Sequence, residues 1–227
     1  MKSTARLFFS FFATVIPLCV WAQTIVPAEH SNSFALAAGM GINVAADPGM
    51  VNYINSFSYS TDRASDFATA VDFFGACEFP VSDEWGAKVE YAYLFKSYNF
   101  ASNAAGISNL LYNVTMPTLI AQYVILGKGY FVKLGGGAGY HLGTVTATNA
   151  VYGGTSQYHA KGIGVKLEAV GQTAFDEHLY GYVAGDMRWE FLGTVKDDHG
   201  AALQNQGFAA SLSLFSVGLI FGLTYYF

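Results

Sequence analysis

Residues 214–227 read LFSVGLIFGLTYYF. Val217, Leu219, Phe221, Leu223, Tyr225 and Phe227 fall at every second position, between Ser216, Gly218, Ile220, Gly222, Thr224 and Tyr226. A period of two puts these sets on opposite faces of a β-strand, one apolar and one mixed and small. Chain ends usually fray and are polar. This one is built to be held.

The same alternation recurs upstream. Phe34, Leu36, Ala38, Met40, Ile42 and Val44 alternate with Ala35, Ala37, Gly39, Gly41 and Asn43. Phe67, Thr69, Val71, Phe73 and Cys77 oppose Ala68, Ala70, Asp72, Phe74 and Glu78; after the turn PVSDEW, Ala87, Val89, Tyr91, Tyr93 and Phe95 oppose Lys88, Glu90, Ala92, Leu94 and Lys96. A run over 118–126 sets Leu119, Ala121, Tyr123 and Ile125 against Gln122, and Pro117, which cannot donate to a ladder, marks its start or a bulge. Beyond GKGY, Val132, Leu134, Ala138, Tyr140 and Leu142 face away from Lys133, Gly135, Gly137, Gly139 and His141. Ile163, Val165, Leu167 and Ala169 oppose Lys166, Glu168 and Gln172; past Asp176–His178, Leu179, Val183, Met187 and Trp189 oppose Tyr180, Tyr182, Asp186, Arg188 and Glu190. Eight strands result, and every strand charge shares the parity opposite the apolar one.

The links alternate too. Those near 45–66, 97–113, 144–160 and 192–207 read as long, polar loops, and those near 80–85, 127–130 and 176–178 as short turns. Long outer loops and short inner turns are the pattern of an up-and-down barrel in an outer membrane. In hydrocarbon every backbone N–H and C=O must pair internally, and closing the sheet removes both of its edges. The apolar parity then faces lipid and the charged parity fills the lumen. A soluble sandwich or lipocalin-like barrel would turn the apolar face inward; the Gly- and Ala-rich mixed face suits a crowded interior better than a wetted surface. Trp85, Phe79, Tyr130, Phe131 and Phe175 are expected at the periplasmic rim, and Trp189, Phe191, Phe67 and Tyr98 at the outer rim.

Composition agrees. Of 227 residues 52% are hydrophobic and only 12% charged, with mean hydropathy +0.31. After the N-terminus, however, no apolar run reaches the ~18 residues of a membrane helix. Residues 1–22 carry Lys2 and Arg6, an apolar run from Leu7 to Val20, and Val20-Trp21-Ala22 ahead of Gln23, the form of a cleaved secretory signal; the barrel domain is expected over 23–227. A membrane anchor is disfavoured by the short run broken at Pro17, and lipidation at Cys19 by Leu18 before it. Without Lys2 and Arg6, nine basic residues face sixteen acidic ones, a net charge of −7 that disfavours nucleic acid. Only Cys77 would remain, which excludes an intrachain disulfide and a cysteine metal site.

Leu219, Phe221, Leu223, Tyr225 and the final Phe227 resemble the C-terminal assembly signal of outer-membrane barrels. In architecture the mature chain is similar to the small eight-stranded outer-membrane proteins of the OmpA-domain, OmpX and OmpW type; in motif the likeness covers the last strand alone. The resemblance implies a monomer, the barrel-assembly machinery and periplasmic chaperones as partners in biogenesis, and outer-membrane lipid and lipopolysaccharide as surroundings. It implies no cofactor.

So narrow a barrel is filled by side chains. Its lumen charges are Asp72, Glu78, Lys88, Glu90, Lys96, Lys133, Lys166, Glu168, Asp186, Arg188 and Glu190, of both signs, and pairing is expected. A turn centred on Glu177 sets Glu168 opposite Asp186 and Lys166 opposite Arg188, with Lys166–Asp186 and Glu168–Arg188 diagonals. Catalysis on lipid would need Ser beside His with an orienting carboxylate. Of His30, His141, His159, His178 and His199, only His141 falls in an expected strand, and no His-x-Ser of the lipid A deacylase kind accompanies it. KDDHG at 196–200 offers Asp197, Asp198 and His199 to a divalent cation, although such loop clusters are usually just solvated. GKGY and the GGGAG of 135–139 lead strand to strand and are not phosphate loops. The leading expectation is a non-catalytic barrel with a salt-bridged lumen, serving envelope integrity or surface interaction. The alternative is a narrow OmpW-like conduit for small hydrophobic molecules, with Gly135, Gly137, Gly139, Gly162 and Gly164 giving the room. A lipid-modifying enzyme comes third.

Overall fold

The computed structural model describes residues 33–57, 63–103, 106–148 and 154–227; the leader and His30 lie outside them. Strand β1 is Ala35–Ala46, β2 Phe67–Pro80, β3 Trp85–Asn103, β4 Gly106–Leu126, β5 Tyr130–Thr148, β6 Thr155–Ala174, β7 Leu179–Phe191 and β10 Phe215–Tyr226. All neighbours are antiparallel, and the ring closes in the order β1-β10-β7-β6-β5-β4-β3-β2. Closure is complete at the seam: every residue of β1 pairs with β2 on one side and with β10 on the other.

The parity of the sequence becomes the two faces of the wall. Leu119 is 63% exposed, Ile163 59% and Phe221 50%, whereas Thr118, Ile120, Gly164 and Ile220 beside them in sequence are buried. An exposed apolar surface running round the whole barrel is far larger than the patches soluble proteins carry. On β5 it runs from Val132 to Leu142, which at ~3.3 Å per residue and a tilt near 40° spans about 25 Å, the height of an outer-membrane apolar band. This orientation overturns the soluble alternative.

The inner turns are short, as expected: residues 81–84, 127–129 and 175–178 join β2 to β3, β4 to β5 and β6 to β7. Two of the four expected outer loops are instead mostly strand. Residues 97–103 belong to β3, 106–113 to β4, 144–148 to β5 and 155–160 to β6. Their Ser, Thr and Asn mark where the wall leaves lipid, while the ladder continues in water. The strands β3–β6, 19 to 21 residues long, therefore rise above β1, β2, β7 and β10, of 12 to 14 residues, as a four-stranded extension on one side of the mouth. Pro117 lies within β4 and faces outward. Thr115↔Leu142 and Thr118↔Gly139 keep one register on either side of it, so β4 neither starts there nor bulges.

The other outer connections fold over the mouth. Helix α1, Pro48–Asn55, starts with Pro in its first turn and is capped by Asp47, whose Oδ1 accepts from the Met50 N–H at 3.2 Å. It buries Met50, Val51, Tyr53 and Ile54. Asn55 secures the return of this connection through paired hydrogen bonds to the Ala64 backbone. Between β7 and β10 the chain forms a small ladder, β8 (Gln204–Asn205) with β9 (Phe208–Ala209), and turns Leu192, Val195, Leu203, Ala210 and Leu212 inward. Backbone bonds between His159 and Lys196, 2.7 and 2.9 Å, fasten it to the raised part of β6.

Of the expected aromatic rims, Trp85, Phe79, Tyr130, Phe175, Phe191 and Phe67 are exposed, and Trp189 is half-buried against Phe215. Phe131 and Tyr98 differ. Both have lumen parity: Phe131 stacks with Tyr180 and Tyr226 as an inner floor, and Tyr98 packs near Tyr112 beneath the mouth.

Candidate functional site

Between the aromatic floor and the capped mouth the lumen is a layer of charge. Lys88 Nζ lies 2.6 Å from Glu168 and 2.9 Å from Glu90. Lys166 Nζ donates to both Glu90 oxygens, at 2.6 and 2.7 Å, and stands 3.1 Å from Glu168 and 3.8 Å from Asp186. Arg188 divides its guanidinium between two carboxylates, Nε to Asp186 at 2.6 Å and Nη2 to Asp72 at 2.8 Å. Three cations and four carboxylates thus form one connected, buried group.

Closure produces this pattern. In the ring order β3 stands three places from β6, and β7 three places from β2, so the Lys88–Glu168, Lys166–Glu90 and Arg188–Asp72 pairs each cross the bore. Lys133 on β5 likewise crosses to Glu78 on β2. Lys133 also donates to the Tyr226 hydroxyl at 2.9 Å, which donates to Gln172 Oε1 at 2.5 Å; Gln172 donates in turn to Thr224 at 3.0 Å. Gln122 completes Glu168 with a 2.9 Å bond.

The register around Glu177 is as read from sequence, Lys166↔Arg188 and Glu168↔Asp186. Of the two expected diagonals, Lys166–Asp186 forms at 3.8 Å, whereas Glu168 turns to Lys88 and Lys166 in place of Arg188. Lys96, the outermost lumen-parity charge in a strand, is half-buried over the Tyr98 ring. Leu219, Phe221, Leu223, Tyr225 and Phe227 all lie exposed on the lipid-facing side.

The lumen glycines do not leave room. A Cβ on Gly164 would collide with the His141 ring and the Glu190 carboxylate, and one on Gly218 with Asn43 and Asp186. Gly135 makes way for Glu168, and Gly137 and Gly162 lie against neighbouring backbone. The space that was to open a conduit is occupied by the charges and by the wall itself.

Glu190 does not join the central group. Its Oε2 stands 2.5 Å from His141 Nδ1, and His141 Nε2 stands 3.1 Å from Thr118 Oγ1. A hydroxyl, an imidazole and a carboxylate in line are the ingredients of an activated nucleophile. Here all three side chains are buried, and Thr118 Oγ1 also bonds the Met116 carbonyl at 3.3 Å. Sequence proximity to His141 gives no sign of Thr118, because β4 brings its hydroxyl from 23 residues away.

The outer cation candidate does not assemble. Asp197 Oδ1 accepts the backbone N–H groups of His199 and Ala201, and Asp198 lies 3.8 Å from His159 with both well exposed. Among the described residues no three metal-ligating side chains converge. His178 sits at the inner turn beside Tyr225.

No family model and no curated protein matches the chain. Solved structures do. Neisserial surface protein A superposes with a TM-score of 0.52 at 13% identity, over 86% of this chain and 97% of that one. A major outer membrane protein from Thermus thermophilus gives 0.52 at 11% identity, over 86% and 100%; Ail, the attachment invasion locus protein of Yersinia pestis, gives 0.50 at 12%, over 86% and 99%. At such identities the likeness is one of fold. Combined with the closed ring, the outward apolar band and the inward charges, it makes this chain an eight-stranded transmembrane β-barrel of the small outer-membrane type.

Proposed function

We propose that this barrel is a non-catalytic, non-conducting platform that holds the β3–β6 extension and the capped mouth outside the cell for surface interaction. The observation that carries this reading is the set of ion pairs crossing the bore from β2 to β7, β3 to β6 and β2 to β5. Moving an ion past them means separating buried partners, and the cap above them buries mainly apolar side chains such as Leu192, Val195, Leu203 and Leu212. The extension has an edge to offer: β2 pairs with β3 only as far as Val71↔Phe95, so among the described residues no strand pairs with β3 from Lys96 to Asn103 on that side. Lys161 is exposed beside the outer boundary of the apolar band, a position that suits lipopolysaccharide phosphate. The alternation of β10 supports its reading as the strand recognised during assembly.

Single-channel recording of the refolded barrel in planar bilayers, with heat-modifiable migration as proof of folding, tests the proposal. The expected record is silent. Discrete openings of folded wild-type protein would overturn it in favour of a gated path through the charged layer.

A further inference from the structure

Between α1 and the inner face of the raised β3–β6 sheet lies a cavity of about 180 Å³. Its wall carries Phe100 from β3 and Tyr158 and Ser156 from β6; α1 and the residues after it supply Tyr53 and Phe57, and Thr148 lies at its upper end. The rings are already assembled: Tyr53 meets Phe57 edge-on at 5.4 Å, and Phe57 meets Phe100 at 5.1 Å. Among the described residues none that lines the cavity is charged.

We propose that this pocket binds a single neutral sugar ring. Three features select that ligand. Aromatic faces accept the C–H face of a pyranose, while seryl, threonyl and tyrosyl hydroxyls with nearby strand backbone answer its hydroxyl groups; a mixed lining of this kind matches a molecule that is itself apolar on one side and polar around its edge. The described lining offers no cation to neutralise a phosphate or carboxylate. The volume falls below the roughly 300 Å³ of sites for drug-sized ligands, which suits one ring and not a peptide or a lipid chain.

Position matters as well. The floor of the pocket is the buried layer of Leu110, Tyr112 and Val145, and the charged lumen lies below that layer, so a bound sugar has no route onward. The site therefore holds its ligand and does not pass it through. The inference rests on the surface-presenting reading only for the side from which the sugar arrives; binding itself does not depend on it.

The test is saturation-transfer NMR of methyl β-D-glucopyranoside with the full refolded barrel, in a zwitterionic detergent that has no sugar headgroup. Transfer is expected, strongest at the protons of the sugar's apolar face. It should fall about tenfold in Phe57→Ala, the loss implied by removing one aromatic stack, and in Ser156→Phe, which fills the pocket from an exposed position without deleting a buried contact. Heat-modifiable migration verifies folding, and Ser156→Phe decides the matter if Phe57→Ala does not fold. No transfer, transfer unaltered by Ser156→Phe, or indole held in the pocket without displacement by the sugar would overturn the proposal. A silent barrel that binds no sugar leaves the platform reading intact. A conducting barrel with a working pocket does the reverse.

Discussion

Replacing Lys166 with Met tests whether the lumen group is held together by charge balance. Lys166 is 2% exposed and contacts Glu90, Glu168 and Asp186. With it present, three cations hold four carboxylates; without it, Lys88 and Arg188 must hold the same four. Met occupies a similar volume, so the change is chiefly electrostatic. Removing one partner from a buried ion pair costs about 3–5 kcal/mol, mainly because the remaining charge is stranded. With a urea m-value near 2 kcal/mol/M, the midpoint of unfolding should fall by about 2 M. The assay is urea unfolding of the barrel refolded into vesicles, followed by the fluorescence of Trp85 and Trp189. The double variant Lys166→Met with Glu90→Gln removes a stranded charge along with the cation, and should recover at least half of the loss. A midpoint for Lys166→Met within about 0.3 M of wild type would refute the reasoning, since under ~1 kcal/mol is what solvated pairs are worth. So would a double variant no more stable than the single one.

Further expectations concern the cap and the seam. Burial pushes the Asp47 carboxyl up to about 7, against the lowering effect of the Met50 and Gly49 backbone contacts. A raised native pKa means that the folded cap binds a proton which the unfolded chain releases near 4, so the stability of α1 is fully present in acid and is lost as pH rises through about 7. Hydrogen exchange, corrected for intrinsic rates, should show α1 less protected at pH 8 than at pH 5, and Asp47→Asn, which keeps a capping oxygen, should abolish the difference. At the closing seam, a Cβ on Gly39 would strike the Phe221 carbonyl and lie 2.7 Å from Gly222 Cα, whereas one on Gly75 meets nothing within 4 Å. Gly39→Ala should therefore lower stability by about 1–3 kcal/mol in urea unfolding, and Gly75→Ala should be neutral within ~0.5 kcal/mol.

Most of the wall was legible, because lipid imposes a period of two that no other environment would enforce so uniformly. Parity alone placed Asp72, Lys88, Glu90, Lys133, Lys166, Glu168, Asp186 and Arg188 indoors, and the turn at Glu177 set their heights on β6 and β7. The partners were less legible. Sequence gives neighbours along a hairpin, and so suggested Glu168–Arg188; the closed ring also brings β2 against β7 and β3 against β6, and those contacts took Arg188 to Asp72 and Glu168 to Lys88. The strand residues within 97–113 and 144–160 look like loops for a different reason. Hydropathy reports the medium a strand stands in, and a ladder of Ser, Thr and Asn in water looks like a loop. Helix α1 was hidden inside a polar connection of which it forms only the eight residues that cover the mouth.

Why the interior should be charged at all follows from the outward face. An apolar filling such as Leu or Ile in place of Lys166 and Glu168 would give β6 two similar faces, and a slip of one residue would then exchange them at little cost. With charges on one parity, the same slip carries Lys166 into hydrocarbon, where a lysine near the midplane costs about 2–4 kcal/mol, and takes from Glu90 one of the two lysines that hold it. Every charged strand multiplies this penalty, and the pairs across the bore tie the registers of β2, β3, β5, β6 and β7 to one another. A buried ion pair is a weak source of stability but a strong selector among alternative pairings. The charge layer of this barrel is therefore best understood as the device that fixes which residue faces lipid, and the closed lumen as its consequence.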